Sequence, residues 1–155
     1  MRMKLFSPSL LVLGAVLNIL AVLLLIPALL GMALETGNDS AFFVSAGLAS
    51  ATGVLSGGTG YRYRAANLQP RQMFIITATA WLVVPFFGAL PFWLWGQGAS
   101  LTDAVFESVS GLTTTGATVF AGLDSMPSDI LLWRSMLHWI GGMGIIGMAI
   151  AVMPF

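Results

Sequence analysis

The hydrophobic positions of this chain fall into long runs divided by short polar breaks. The first uncharged run, Ser7 to Leu34, exceeds the roughly 20 residues a membrane-crossing helix needs. Arg2 and Lys4 precede it, and a basic start before an apolar run also describes a signal peptide. The apolar cores of signal peptides extend over only about 7–15 residues, so the length favours a retained span. Pro27, near its far end, should kink the helix or be absorbed by its neighbours. Glu35, Gly37, Asn38, Asp39 and Ser40 form a polar turn, and a second run extends from Ala41 to about Gly60. That run is crowded with small residues (Ser45, Ala46, Gly47, Ala49, Gly53, Gly57), which let helix backbones approach closely in lipid. Arg62, Arg64, Pro70 and Arg71 break the pattern before a third run, Gln72 to Trp95. Pro85 and Pro91 interrupt it, and Trp93 and Trp95 mark its membrane-interface end.

After a turn at Gly96–Ser100 the pattern changes scale. Leu101 to Gly111 can form a helix of about 11 residues, covering only ~16 Å, which is too short to cross the hydrocarbon core. Leu112 to Val119 reads as irregular backbone, Asp124 to Asp129 as a polar turn, and Ile130 to Phe155 as a last run long enough to span. A half-length helix followed by polar loop cannot face lipid, because its backbone groups would be unpaired; it is tolerated where it lines water or protein. The expected fold is therefore an all-α membrane protein, with two N-terminal transmembrane helices followed by one helix–pore-loop–helix repeat of the potassium-channel kind. Residues 1–70 form the hairpin and a basic loop. Residues 71–155 form the repeat, with a pore helix at about 101–111 and a filter at about 112–118.

Composition agrees with a membrane chain. Of 155 residues, 57% are hydrophobic and 8% charged, against about 25% charged in soluble domains. Six basic and six acidic residues cancel, and no basic face is clustered as nucleic-acid binding requires. With no Cys and a single His, His138, there is no thiol chemistry and no multi-His metal site within one chain. No cofactor and no enzymatic reaction are expected. The basic residues of short loops favour the cytoplasm. Arg2 and Lys4, and then Arg62, Arg64 and Arg71, are separated by two spans, so both groups fit inside, with a cytoplasmic N-terminus. The acids Glu35, Asp39, Asp103, Glu107, Asp124 and Asp129 then fall outside or near the outer side, where a negative mouth attracts cations.

The chemistry on offer is hydroxyls and carbonyls. Carbonyls in a ring can replace the water around an alkali cation, and the partial negative charge at a half-helix C-terminus favours a cation at mid-membrane. Thr113, Thr114 and Thr115 supply carbonyls, and Gly116 permits backbone angles that other residues resist. Glu107, four residues after Asp103, either attracts cations at the mouth or pairs with Arg134 to hold the half-helix to the last span. An ionisable group at membrane depth requires a partner, which favours the pair. Arg134 could instead reach outward to Asp129 or lipid headgroups. His138 reads as a hydrogen-bonded packing residue before it reads as a pH sensor, and the glycines Gly141, Gly142, Gly144 and Gly147 as sites of close packing.

The stretch Phe106-Glu107-Ser108-Val109-Ser110-Gly111-Leu112-Thr113-Thr114-Thr115-Gly116-Ala117-Thr118 resembles the first filter of the Trk/Ktr/HKT potassium transporter superfamily. Trp133-Arg134 and His138-Trp139-Ile140-Gly141-Gly142-Met143-Gly144 resemble the helix that follows it there. The resemblance covers roughly the whole chain and implies potassium uptake across a bacterial cytoplasmic membrane. It implies four such repeats around one pore, with Thr114 and Thr115 as carbonyl ligands before the filter glycine Gly116, flanked by Thr113 and Ala117. It further implies a dimeric membrane subunit and a cytosolic nucleotide-binding regulatory subunit. This chain carries one repeat rather than four, so the expectation is the N-terminal piece of a longer protein. The alternatives are a homotetramer of single repeats and a non-transporting membrane module.

Overall fold

The computed structural model describes residues 3–61, 70–96 and 99–152. Arg2, Arg62 and Arg64, on which the orientation partly rests, lie outside them. The described chain is helical, with no strand: α1 (Met3–Ala33), α2 (Asp39–Tyr61), α3 (Pro70–Trp95), α4 (Leu101–Leu112), a 3-10 turn (Leu123–Ser125) and α5 (Ser128–Val152). Three helices are long and apolar enough to cross a membrane: α1 over Ser9–Ala33, α2 over Asp39–Gly60 and α3 over Gln72–Trp95. Only 33%, 33% and 28% of these windows are buried within the chain. The remainder, including Val22, Leu29, Leu55 and Leu82, presents apolar side chains outward.

Burial of apolar surface gives little reason for helices to associate in lipid, so close packing has to hold them. At the α1–α2 interface it does so through glycine. A Cβ on Gly14 would lie 2.6 Å from the Gly53 carbonyl oxygen and the Gly57 nitrogen, and one on Gly60 2.6 Å from the Leu11 nitrogen. Asn18 bridges the same seam, donating to the Gly14 carbonyl and accepting from Ser50. Pro85 and Pro91 sit inside α3, which runs through both. Near Pro91, the Gly88 carbonyl accepts a 2.9 Å bond from the indole N–H of fully buried Trp133.

Two helices close with the same device. The Thr36 N–H bonds the Gly31 carbonyl and the Glu35 N–H the Met32 carbonyl. This is a Schellman pattern with Glu35 in the left-handed position at φ 52°. At the end of α4, the Thr115 N–H bonds the Ser110 carbonyl and the Thr114 N–H the Gly111 carbonyl, with Thr114 at φ 56°.

One polar residue lies elsewhere than the sequence suggests. Asp129 was expected in an outer polar turn. Instead α5 has already begun at Ser128, and Asp129 is fully buried. Its carboxylate accepts from Thr36 Oγ1 at 2.8 Å and Asn38 Nδ2 at 3.4 Å, in the α1–α2 loop, and from the N–H of Ile130. Only the Ile130 bond is to backbone, as is common for Asp near a helix start; the other two come from loop side chains, and burial follows because the loop closes over the carboxylate.

Candidate functional site

The site is built on α4, and α4 is well started. Ser100 caps it: its hydroxyl accepts from the Asp103 N–H at 3.1 Å, and the Asp103 carboxylate accepts from the Ser100 N–H at 3.0 Å. This reciprocal box satisfies two otherwise orphaned donors. The Ser100 hydroxyl, and then its backbone, hold the Asp103 carboxyl below its ordinary pKa of 3.8. Asp103 is thus spent on starting the helix, whereas Glu107 on the next turn is 1% exposed. At 12 residues α4 is about 18 Å long, one residue longer than its sequence suggests, with Leu112 in the helix rather than the loop.

Its inner face meets α3 and α5 through small residues. A Cβ on Gly88 would lie 2.7 Å from Ser108 Oγ, and one on Gly111 2.9 Å from Leu137 Cβ. A Cβ on Gly141 would collide with the Leu112 carbonyl. The α4 terminus therefore rests directly on the α5 backbone. Gly144 and Gly147 meet nothing within 4 Å and border an apolar cavity of about 330 Å³ between α3 and α5.

Beyond Leu112, residues 113–119 are exposed. The backbone turns left-handed at Thr114, φ 56°, and again at Gly116, φ 78°. A threonine in that region is uncommon, because its branched Cβ crowds the backbone. Two left-handed residues within three positions turn the backbone sharply twice. No hydrogen bond of the described structure reaches the carbonyl oxygens of Thr113, Thr114 or Thr115. Thr113 Oγ1 bonds the Val109 carbonyl at 2.9 Å and meets Thr115 Oγ1 at 2.8 Å, which stiffens the segment from its side-chain side.

The outgoing limb is bonded differently. Glu107 and Arg134 meet as an ion pair through Oε1 and Nε. The other carboxylate oxygen of Glu107 accepts from Thr118 Oγ1 at 2.9 Å and the Val119 N–H at 3.2 Å. Arg134 Nη2 donates to the Gly116 carbonyl at 3.3 Å, and Ser110 Oγ to the Ala117 carbonyl at 2.6 Å. One buried carboxylate thus ties helix, loop and α5 together, and Asp129, engaged elsewhere, takes no part. His138, one turn below Arg134, bonds the Arg134 carbonyl through Nδ1 at 2.8 Å. Its Nε2 lies 4.0 Å from where a Gly116 Cβ would stand. Ser110 and Thr118 were not singled out in the sequence, and no local spacing marks them, since their partners lie 7 and 11 residues away in a loop. Among the described residues no group of His, Cys, Asp or Glu is arranged to hold a metal ion.

Comparison with known proteins places this arrangement. Residues 42–155 match the TrkH family, described as cation transport protein. The Trk system potassium uptake protein TrkH of Halomonas elongata is 43% identical over 147 residues, which are 92% of this chain and 30% of that protein. TrkH of Escherichia coli K12 is also 43% identical, over 84% of this chain and 27% of its own length. The crystal structure of the potassium transporter TrkH from Vibrio parahaemolyticus superimposes with a TM-score of 0.89 at 36% identity, covering 100% of this chain and 32% of that one. The chain spans about 30% of the length of the relatives it matches. On the strength of the family match and these relatives, the chain belongs to the TrkH family of cation transport proteins.

Proposed function

We propose that this chain supplies one of four pore repeats of a potassium uptake system, with residues 112–118 as its share of the selectivity filter. One observation carries the reading. At the end of a half-length helix, three successive carbonyls, those of Thr113, Thr114 and Thr115, accept no hydrogen bond and belong to exposed residues. Unpaired backbone oxygens are costly at membrane depth unless a partner takes them up, and a dehydrated alkali cation is such a partner. Thr114 and Thr115 stand nearest the centre of that set, Gly116 turns the backbone at its edge, and Thr113 and Ala117 flank it. The C-terminal end of α4 adds its partial negative charge at the same place.

The two-helix start, the half-helix and α5 then form a 2 + 1 arrangement. α1 runs outward, α2 inward and α3 outward, α4 dips in, and α5 returns, with the N-terminus in the cytoplasm. The exposed loop is completed by the remaining pore repeats. The names of the relatives support potassium as substrate, and the bacterial inner membrane is the location proposed with it. A dimeric membrane subunit served by a cytosolic nucleotide-binding regulatory subunit completes the proposal. No covalent step is involved. Carbonyl oxygens offset dehydration, and the membrane potential drives entry with about 2.3 kcal/mol per charge per 100 mV.

The test is rubidium uptake into cells that lack potassium uptake, in the assembled transporter, with Gly116→Ser as variant. A side chain at φ 78° distorts the loop, so discrimination against sodium should fall while membrane abundance holds. Unchanged discrimination would assign the filter elsewhere.

A further inference from the structure

At the Trp95 end of α3, the start of α4 and the limb leaving the loop border an open cleft of about 640 Å³. Sites for small organic molecules have this order of size, with apolar walls and a few placed polar groups. Here Trp95, Val119, Phe120, Met126 and Pro127 supply walls, and Asp103 is the charged side chain among the described residues that line it. We propose that this cleft binds a primary ammonium group on a carbon stem, with Asp103 taking the ammonium and the Trp95–Phe120 wall taking the stem. The proposal does not depend on the filter reading.

The capping box uses only one side of Asp103. Both bonds from Ser100, at 3.0 Å from its N–H and 2.7 Å from its hydroxyl, go to Oδ2. Among the described residues nothing donates to Oδ1. The Ser100 hydroxyl and then its backbone keep the carboxyl below its ordinary pKa of 3.8, so it is charged at neutral pH. The first turn of α4 brings roughly half a positive charge to the same place, which a full carboxylate charge outweighs, so the balance favours a cation. A bare metal ion fits poorly, because it needs several oxygens at close range and no group of described acids is arranged to hold one. An ammonium needs only one of its three donors on Oδ1. The wall beside it is already in place. Trp95 and Phe120 meet edge to face with centroids 6.1 Å apart, and fully buried Phe92 braces Phe120 at 5.9 Å. Aromatic rings attract ammonium groups more than neutral groups of the same shape. Tryptophans gather where membrane meets water, so Trp93 and Trp95 set the cleft at a level that two sources can reach. One is a free amine in solution; the other is the ethanolamine headgroup of a neighbouring lipid. Both present the same chemistry.

The experiment titrates the purified, assembled transporter in dodecyl maltoside with butylammonium, followed by saturation-transfer NMR, with 1-butanol as the neutral counterpart. Butylammonium should bind about fivefold more tightly than 1-butanol, and Asp103→Asn, whose amide oxygen can still cap the helix, should remove that advantage. Phe120→Leu should weaken butylammonium by about threefold. Equal binding of the two probes to the unaltered protein overturns the proposal, and that comparison holds even where a variant fails to reach the membrane. Binding unchanged in both variants overturns it as well. So does displacement of butylammonium by rubidium at concentrations that saturate uptake, which would put the probe in the ion path. Nanodiscs separate the sources. Weaker butylammonium binding in phosphatidylethanolamine than in phosphatidylcholine assigns the site to the lipid headgroup, and equal binding in both assigns it to a free amine; either result upholds the ammonium site.

Discussion

Where α1 meets α2, the helices approach because atoms are missing: Gly14, Gly53, Gly57 and Gly60 leave room for backbone against backbone. Where α4 meets α5, glycine at 111 and 141 also admits close approach, but the loop above is fastened by Glu107, Arg134, Ser110 and Thr118. Among the described residues, the first interface is closed by glycine with no ion pair and sets a distance. The second carries an ion pair and sets the direction in which carbonyls point. A scaffold tolerates small slippage along a glycine seam; a loop offering unpaired oxygens does not.

Replacing Glu107 with Ala should have the largest effect, because it leaves Arg134 partly buried without its partner. Losing one member of a buried pair costs about 3–5 kcal/mol, and Arg134 is 18% exposed, so the lower end is expected. Membrane yield and detergent melting would register it. Normal yield with altered selectivity would shift the weight of Glu107 from fastening to cation attraction. Gly141→Ala comes next. Its Cβ collides with the Leu112 carbonyl, backbone against a helix end, so a loss of about 3 kcal/mol is expected, at the upper end of overpacking. Because Leu112 leads directly into the loop, ion selectivity should move as well. Gly14→Ala meets backbone too, and about 1–3 kcal/mol should be lost. Selectivity should stay put in the protein that remains. A selectivity change at Gly14 equal to that at Gly141 would erase the distinction between the two interfaces.

The smallest effect concerns Asp103. Its carboxyl is held below the ordinary value in the folded chain, so its stabilising contribution is full above pH 3.8 and is lost as pH falls through the lower folded value. Melting of the purified protein between pH 6 and 3 should show a small acid-limb decline that Asp103→Asn lacks. Equal declines would mean the cap contributes nothing.

The long elements were legible because length and apolarity suffice to define them: α1, α2 and α3 follow runs read directly from the chain. The short helix was legible because Leu101 to Gly111 is followed by Thr and Gly rather than by more apolar residues. The contact between Glu107 and Arg134 was legible for a plainer reason, since two charges in an apolar repeat have few other partners. Asp129 was not, because a carboxylate beside Pro127 and Ser128 looks like turn, and only the fold brings Thr36 and Asn38 over it. Nor were the different fates of the loop carbonyls. Sequence says which residues have oxygens, and only geometry says which are already taken.

The buried carboxylate at the start of α5 also bears on how the chain is made. Thr36 and Asp129 are 93 positions apart, so the loop closing the first hairpin is synthesised long before the group that completes its hydrogen bonds. Until α5 arrives, that loop has donors in search of an acceptor. When α5 inserts with its first turn on the same side as the loop, the carboxylate accepts hydrogen bonds from those donors; inserted the other way, it keeps only the N–H of Ile130. Asp129 thus has its hydrogen bonds filled only in the threading of the last helix that sets its first turn beneath that loop.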